Sequence, residues 1–447
     1  MLLEFRVSNY RSIGDEQILS LVPASKQKDY PENIIENGKY KALNSISLYG
    51  SNSGGKSNFL KSMSLLDKLV HMSARSSSTT KLPYDPFLLR EGYSDKPTFL
   101  EISFIIEEFR YRYGFEFNEF EIEKEWLFRK NLGREVKVFE RENDVIEVSS
   151  GFNGAKKIVD AAIEATRDNA LFLSTCDMLN VEEAKSIINW FSHFSMVDGL
   201  NTDIEEIQTV ELWEKAEYRS KIKQYLTSLK LGIKDLDIST KEFSISDLPD
   251  DMPKIMKEQL SKSLKGKHSH TVFAEHHIYD EFQKPSGKTQ SWKWEERESS
   301  GAKKALQLSG PILWTLANGG VLIIDEIEAK LHPIMTLNTI DTFLNKKSNP
   351  FNAQLIFATH DTNLLTYSKL RRDQICFAEK NKWESTELYS LSDFVYFAEK
   401  NGEFKSEKER PDTDKEKRYF EGRYGAIPAL GDFQDFIRNM EWLEEEK

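Results

Sequence analysis

The run Gly50-Ser51-Asn52-Ser53-Gly54-Gly55-Lys56-Ser57 has the residue types and spacing of a phosphate-binding loop. Small residues let the backbone turn tightly, so that successive N–H groups and the start of a helix can point at phosphate oxygens. Lys56 would then reach the β- and γ-phosphates, and the Ser57 hydroxyl would ligate Mg²⁺. Two other groups of residues suit the same chemistry. Gly319-Gly320-Val321-Leu322-Ile323-Ile324-Asp325-Glu326 is an apolar run that ends in two carboxylates: Asp325 to hold the Mg²⁺ shell, Glu326 to orient or deprotonate an attacking water. Leu355-Ile356-Phe357-Ala358-Thr359-His360-Asp361 ends in a histidine placed to sense a γ-phosphate. A further segment, Glu298-Ser299-Ser300-Gly301-Ala302-Lys303-Lys304, puts Ser-Ser-Gly before the apolar stretch Ala305 to Ala317. On its own it reads as a helix cap, and a helix start is also an anion site.

These residues need elements to hold them. Ser45-Ile46-Ser47-Leu48-Tyr49 is β-prone and Asn58 to Leu66 is helix-compatible, so strand, turn and helix frame the loop as the chemistry requires. The runs before Asp325 and His360 read as buried parallel strands, and ligands bind at the carboxyl ends of such strands in open α/β sheets. A further strand is expected at Gln374 to Glu379 and a helix from Ile334. From Thr98 to Val148 the alternation predicts adjacent antiparallel strands, including Phe99 to Ile106 and Phe109 to Phe117. Their many aromatics fit cross-strand packing better than base stacking, because Glu outnumbers Lys and Arg across Glu101 to Glu125. Residues from about 157 to 240 carry helical spacing, as in Ile158-Val159, Ala162-Ile163 and Ile187, Ile188 and Phe191.

Taken as a set and in this order, the phosphate loop, Ser/Gly segment, Asp-Glu strand and histidine resemble the head of an ABC-type ATPase. The opening Leu3 to Ile13 is similar to the first strand and turn of the chromosome-maintenance and RecF-like branch. More narrowly, Asp325-Glu326-Ile327-Glu328, Leu331-His332-Pro333, Arg372-Asp373-Gln374-Ile375 and Tyr419-Phe420-Glu421-Gly422-Arg423-Tyr424-Gly425-Ala426-Ile427-Pro428 resemble the compact RloA/AbiLi-like ATPases of the AAA-15 group, which is associated with phage-defence operons. The resemblance implies an α/β fold: an ABC-type P-loop NTPase head with an antiparallel β subdomain and a short helical insertion. It divides the chain into an N-terminal ATPase lobe over residues 1–155, a mainly helical insertion and polar connector over 156–297, and a C-terminal ATPase lobe over 298–447. It implies ATP and Mg²⁺ as cofactors. Gly50 to Asn58, with Arg11, would contact nucleotide; Ser57 and Asp325 would hold the metal; Glu326 and His360 would be catalytic. Ser299, Ser300 and Gly301 would act on the nucleotide of a second protomer, so a homodimer or a higher oligomer of dimers is implied. The expected role is the ATPase component of an anti-phage, abortive-infection system that controls a separate effector, RloB-like or a nuclease, encoded nearby. The alternative is a RecF-like DNA-binding repair ATPase.

This chain departs from the pattern at three places. Ser53 stands where the transporter-type loop has Gly, which calls for a φ that is not strongly positive. No Gln lies between Lys56 and Leu100 to supply the usual second Mg²⁺ ligand. Ser300 occupies the place of the first Gly in the usual Leu-Ser-Gly-Gly signature.

Composition sets outer limits. With 447 residues, 39% of them hydrophobic, the chain can build more than one structural unit. A net charge of −12 disfavours a nucleic-acid coat, while a local basic groove stays open through Lys254, Lys257, Lys262, Lys265 and Lys267. A solvated helix face is the simpler account of those lysines. Two distant cysteines, Cys176 and Cys376, indicate a reducing compartment. His268, His270, His276 and His277 lack tetrahedral spacing, and Asp412-Thr413-Asp414 lies in a charged stretch with no apolar strand before it, so neither is expected to bind metal. No signal-like start or bilayer-length apolar run occurs, so a cytoplasmic protein without membrane contact is expected.

Overall fold

In the computed structural model, the alternation after residue 98 becomes five strands of a seven-stranded antiparallel sheet, which two strands from the start of the chain complete. The structure describes residues 1–199, 203–242, 245, 252–254, 256–257, 268–400, 403–408, 410 and 413–428. The chain separates into two units: Met1–Ser192 together with the chain from Ile356 onward, and His193–Leu355.

The first unit opens with strands β1 (Leu2–Ser8) and β2 (Gln17–Ser20), the hairpin β3 (Ile34–Asn37) and β4 (Tyr40–Leu43), and β5 (Ser45–Tyr49). After a long helix come β6 (Thr98–Ile106), β7 (Phe109–Phe117), β8 (Ile122–Lys130), β9 (Val136–Glu142) and β10 (Val145–Val148). The large sheet runs β10-β9-β8-β7-β6-β1-β2. Its aromatics are taken up by packing. Phe104 stacks on Trp190 at 4.1 Å, and Tyr113, Phe115 and Phe117 are buried. Glu125 is also buried there, where it accepts from the Tyr113 hydroxyl at 2.9 Å and from the amides of Phe172 and Leu173 at 2.6 and 3.0 Å. Those two amides begin the helix Phe172–Met178, so one carboxylate ties helix to sheet. Burial pushes its pKa up against the pull of those N–H groups and Arg141.

The helix Lys56–Met72 buries Phe59, Leu60, Met63, Leu66, Leu69 and Val70 along one stripe, and Phe59 meets Phe5 edge to face at 5.6 Å. Beside β5, later strands of the same unit extend its sheet. β17 (Ile375–Lys380) pairs with it in parallel, and β18 (Thr386–Ser390) pairs with β17 antiparallel. At the foot of β17, Arg371 is fully buried and held bidentately by Asp373, with both distances 2.8 Å. The two cysteines are buried free thiols, and burial raises the pKa of each.

In the second unit, β11 (Phe194–Asp198) pairs in parallel with β15 (Val321–Asp325). β12 (Asp235–Glu242), β13 (His268–Tyr279) and β14 (Pro285–Lys293) form an antiparallel sheet. The helices Asp203–Trp213, Ala216–Ser228 and Ser300–Asn318 share its core through Leu212, Ile222, Leu226, Ala305 and Leu306. Pro311 lies inside the last of these helices and leaves the carbonyl of Gln307 without its usual N–H donor. The Thr209 hydroxyl fills that place at 3.0 Å and accepts from Gly310 N at 3.1 Å. Strands β11 and β12 interrupt the 157–240 stretch that reads as helical. β11 spans five residues between two helices, too short to alter the helical periodicity around it.

Lys262, Lys265, Lys267 and Asp412 lie outside the described residues. Among the described residues, no helix is long and apolar enough to cross a membrane.

Candidate functional site

Every residue of β5 is buried, and the chain leaves it through Gly50 into the loop. The loop is pressed against the β17–β18 hairpin. A Cβ on Gly50 would lie 2.2 Å from the Ala378 carbonyl oxygen, and one on Gly54 would lie 2.7 Å from the same atom. At Gly55, with φ +102°, a Cβ would fall 1.9 Å from the Thr386 hydroxyl oxygen. Only glycine meets both the dihedral and the space. We therefore expect Gly55→Ala to destabilise the protein by about 1–3 kcal/mol and to weaken nucleotide binding with it. Chemical denaturation with and without ATP checks this, and an unchanged midpoint would count against the tight packing.

Asn52 and Ser53 form the exposed tip of the loop. Ser53 has φ +66°, against the expectation that this position avoids the left-handed region. The turn itself demands that conformation: Gly54 N closes on the Ser51 carbonyl at 3.0 Å. A short polar residue at an exposed turn adopts it at modest cost.

Lys56 begins the helix and is only 4% exposed. Its ammonium lies within the loop, donating to the carbonyls of Gly50 at 2.8 Å and Ser51 at 3.1 Å. It also stands 3.2 Å from His360 Nε2, which must accept there because an ammonium only donates. His360 follows β16 (Gln354–Ala358), and the preceding Thr359 N bonds to the Leu48 carbonyl at 3.0 Å, which sets the histidine beside the end of β5. Ser57 is half-buried in the first turn of the helix. The Asn58 amide donates to the Ser12 hydroxyl at 2.9 Å, and Ser12 in turn meets the Thr386 hydroxyl at 2.9 Å. Asn58 thus braces the first turn of the chain against the loop helix. Arg11 has φ +51°, lies over the Tyr10 ring at 5.4 Å and pairs with Asp85 at 2.9 Å.

The Tyr419–Pro428 segment backs this arrangement. Tyr419 stacks on Phe377 of β17 at 5.8 Å, and the Tyr389 hydroxyl of β18 donates to the Tyr424 carbonyl at 2.6 Å. Thr386 and Ser12 were not expected as part of the site. Thr386 belongs to no motif; Ser12 lies in the Leu3 to Ile13 segment, whose resemblance assigns it no role.

In the second unit, Asp325 closes the fully buried strand β15 and is 7% exposed. Its Oδ1 is buried and has no hydrogen-bond partner among the described residues. A buried carboxylate oxygen left in that state suits a hard divalent cation that takes oxygen ligands. Glu326 follows at φ +49°, and its carbonyl accepts from Ala329 N at 2.9 Å, so the chain turns sharply there. The Ser299 hydroxyl accepts from Ala302 N at 3.1 Å and caps the helix Ser300–Asn318, with Ser300 exposed and Gly301 3.1 Å (as a notional Cβ) from the Lys330 carbonyl. Just before that cap, Glu298 accepts from Trp292 Nε1 at 2.8 Å and pairs with His276 at 2.8 Å, while the His276 ring stacks on Trp292 at 4.2 Å.

The structure thus groups Gly50–Asn58, Arg11 and His360 in the first unit. Asp325, Glu326 and Ser299–Gly301 belong to the second.

A family model described as "AAA domain, putative AbiEii toxin, Type IV TA system" matches residues 45–366. No curated protein compared with the chain matches it. Among solved structures, the chain is similar to the SMC head domain from Thermotoga maritima, with 10% identity over 87% of this chain and 98% of that one and a TM-score of 0.37. It is similar to the recombination mediator protein RecF bound to ATPrS, with 13% identity over 87% and 98% and a TM-score of 0.30. It is also similar to the Smc head domain from Pyrococcus furiosus, with 13% identity over 87% and 96% and a TM-score of 0.35.

Proposed function

The chain belongs to the AAA-domain family matched over residues 45–366; from that premise we propose that it is an Mg²⁺-dependent, ATP-hydrolysing ABC-type switch of an anti-phage, abortive-infection system, working in the cytoplasm and controlling a separate effector protein. The observation that carries this reading is the Lys56 ammonium held inside the glycine loop, 3.2 Å from His360. A cation and a hydrogen-bonding ring that converge in a phosphate-sized turn are what recognition of a terminal phosphate needs.

On this reading, Gly50 to Asn58 and Arg11 hold the nucleotide. Ser57 and Asp325 would each offer an oxygen to Mg²⁺, which when bound would neutralise charge on the phosphate oxygens. Glu326 orients or deprotonates the water, and His360 senses the γ-phosphate. Ser299, Ser300 and Gly301 of each protomer meet the nucleotide of the other, so ATP joins two copies and hydrolysis lets them part. The family's description speaks of a putative AbiEii toxin of a type IV TA system, which supports the toxic side of this reading and is silent on a separate effector. The narrower RloA/AbiLi-like placement rests on Asp325-Glu326-Ile327-Glu328 and on the Tyr419 to Pro428 segment.

His360→Ala is expected to slow turnover about 10- to 150-fold, the worth of one hydrogen bond to a charged group, with KM little changed. The opposite split would make the histidine structural. The wider reading is tested by the solution mass of the Glu326→Gln protein with Mg-ATP, alone and with the product of the neighbouring gene. An ATP-dependent complex that contains the neighbour is the expected result. A dimer that ignores the neighbour and binds DNA instead would replace this reading with a RecF-like one.

A further inference from the structure

Lys304 lies one turn into the helix Ser300–Asn318 and is only 1% exposed. Lysine is rarely buried so deeply, because removing an ammonium from water is costly unless oxygen atoms surround it. Here Nζ donates to the carbonyl of Gly199 at 2.7 Å and reaches the carbonyl of Asp198 at 3.5 Å. Asp198 ends β11 and stands opposite Asp325 in the parallel register. Gly199 N donates to the Asp325 carbonyl at 2.8 Å. The fit is close: a Cβ on Gly199 would lie 2.3 Å from the carbonyl oxygens of both Asp325 and Glu326. An unbroken series of contacts therefore runs from the helix capped by Ser299, through Lys304 and Gly199, to the backbone that carries the two carboxylates.

We propose that Lys304 is a positioning residue that sets the Asp325–Glu326 turn according to the placement of the Ser299–Gly301 helix start. Engagement of a second protomer's nucleotide at that helix start is then felt at the same protomer's own carboxylates. This rests on the reading of Ser299–Gly301 and Glu326 given above. Lys304 touches no reacting atom. It acts through the carbonyls of Asp198 and Gly199, which hold the strand end beside the turn.

The test uses the full chain with Mg-ATP. Lys304→Met keeps an unbranched side chain one atom shorter and removes its charge and donors. ATP affinity and KM should stay within twofold of the parent, and kcat should fall at least tenfold. ATP-dependent pairing in the Lys304→Met, Glu326→Gln double variant should match Glu326→Gln alone. Lys304→Arg, which keeps donors, should recover most of the lost turnover. Gly199→Ala presses on the same joint from the other side and should give the same split; if Lys304→Met does not fold, Gly199→Ala decides. Parental kcat in a folded variant overturns the proposal. So does a loss of kcat matched by an equal loss of pairing, which would make Lys304 a packing residue of its helix. Turnover that survives in Glu326→Gln alone would overturn the reading of the carboxylates. A dead Glu326→Gln beside fully active Lys304→Met and Gly199→Ala overturns only the link.

Discussion

Glu326→Gln will hold ATP and stop turning it over. The amide has the shape of the carboxylate, so the turn at φ +49° and the bond from Ala329 N to the Glu326 carbonyl should survive. What disappears is the ability to take a proton from water, and loss of a general base slows such steps about 10²- to 10⁴-fold. Phosphate release over many turnovers measures this directly, and solution mass should show ATP-bound pairs that persist. The backbone position favours the assignment. Glu326 follows a strand with every residue buried, so its place is set by packing and not by a mobile loop. If phosphate release runs at the parental rate, Glu326 is not the base.

Lys56→Ala will fail earlier, at binding. The ammonium sits within hydrogen-bond reach of two loop carbonyls and of His360. Nothing else described in the loop carries a positive charge. A charge-assisted hydrogen bond contributes about 1.5–3 kcal/mol, so ATP affinity should drop about ten- to 150-fold. Calorimetric titration with ATP decides it, with the circular dichroism of the variant as a check on folding, since the Lys56 stem is itself buried. Undiminished affinity would remove the basis for the phosphate loop and for everything built on it.

The phosphate loop was legible because its constraints are local. Small residues, a lysine and a serine follow a buried strand and open a helix, and each requirement leaves a mark within a dozen positions. The α/β class and the antiparallel strands after residue 98 were legible for the same reason, since alternation marks each strand. Ser53 shows a limit of that logic. Its dihedral is set by how the turn closes between Ser51 and Gly54, which residue type alone does not specify. The β12–β14 sheet was illegible for a different reason. Most of β14 is exposed, so no alternation of apolar and polar residues marks it. The roles of Thr386, Ser12 and Lys304 are not legible because each acts across a long gap in the chain. A hydroxyl that backs a glycine, or a lysine that donates to a distant carbonyl, has no short-range pattern.

The hydroxyl contact between Ser12 and Thr386 joins residues 374 positions apart, and Thr386 also forms the wall behind Gly55. Gly55 precedes Thr386 by 331 positions, 386 − 55, and during synthesis the ribosome needs roughly 17–66 s to cover that distance. Throughout that interval the glycine turn has emerged and its wall has not. A nascent chain would therefore be blind to nucleotide until the β17–β18 hairpin is made, and ATP could assist only the folding that follows it.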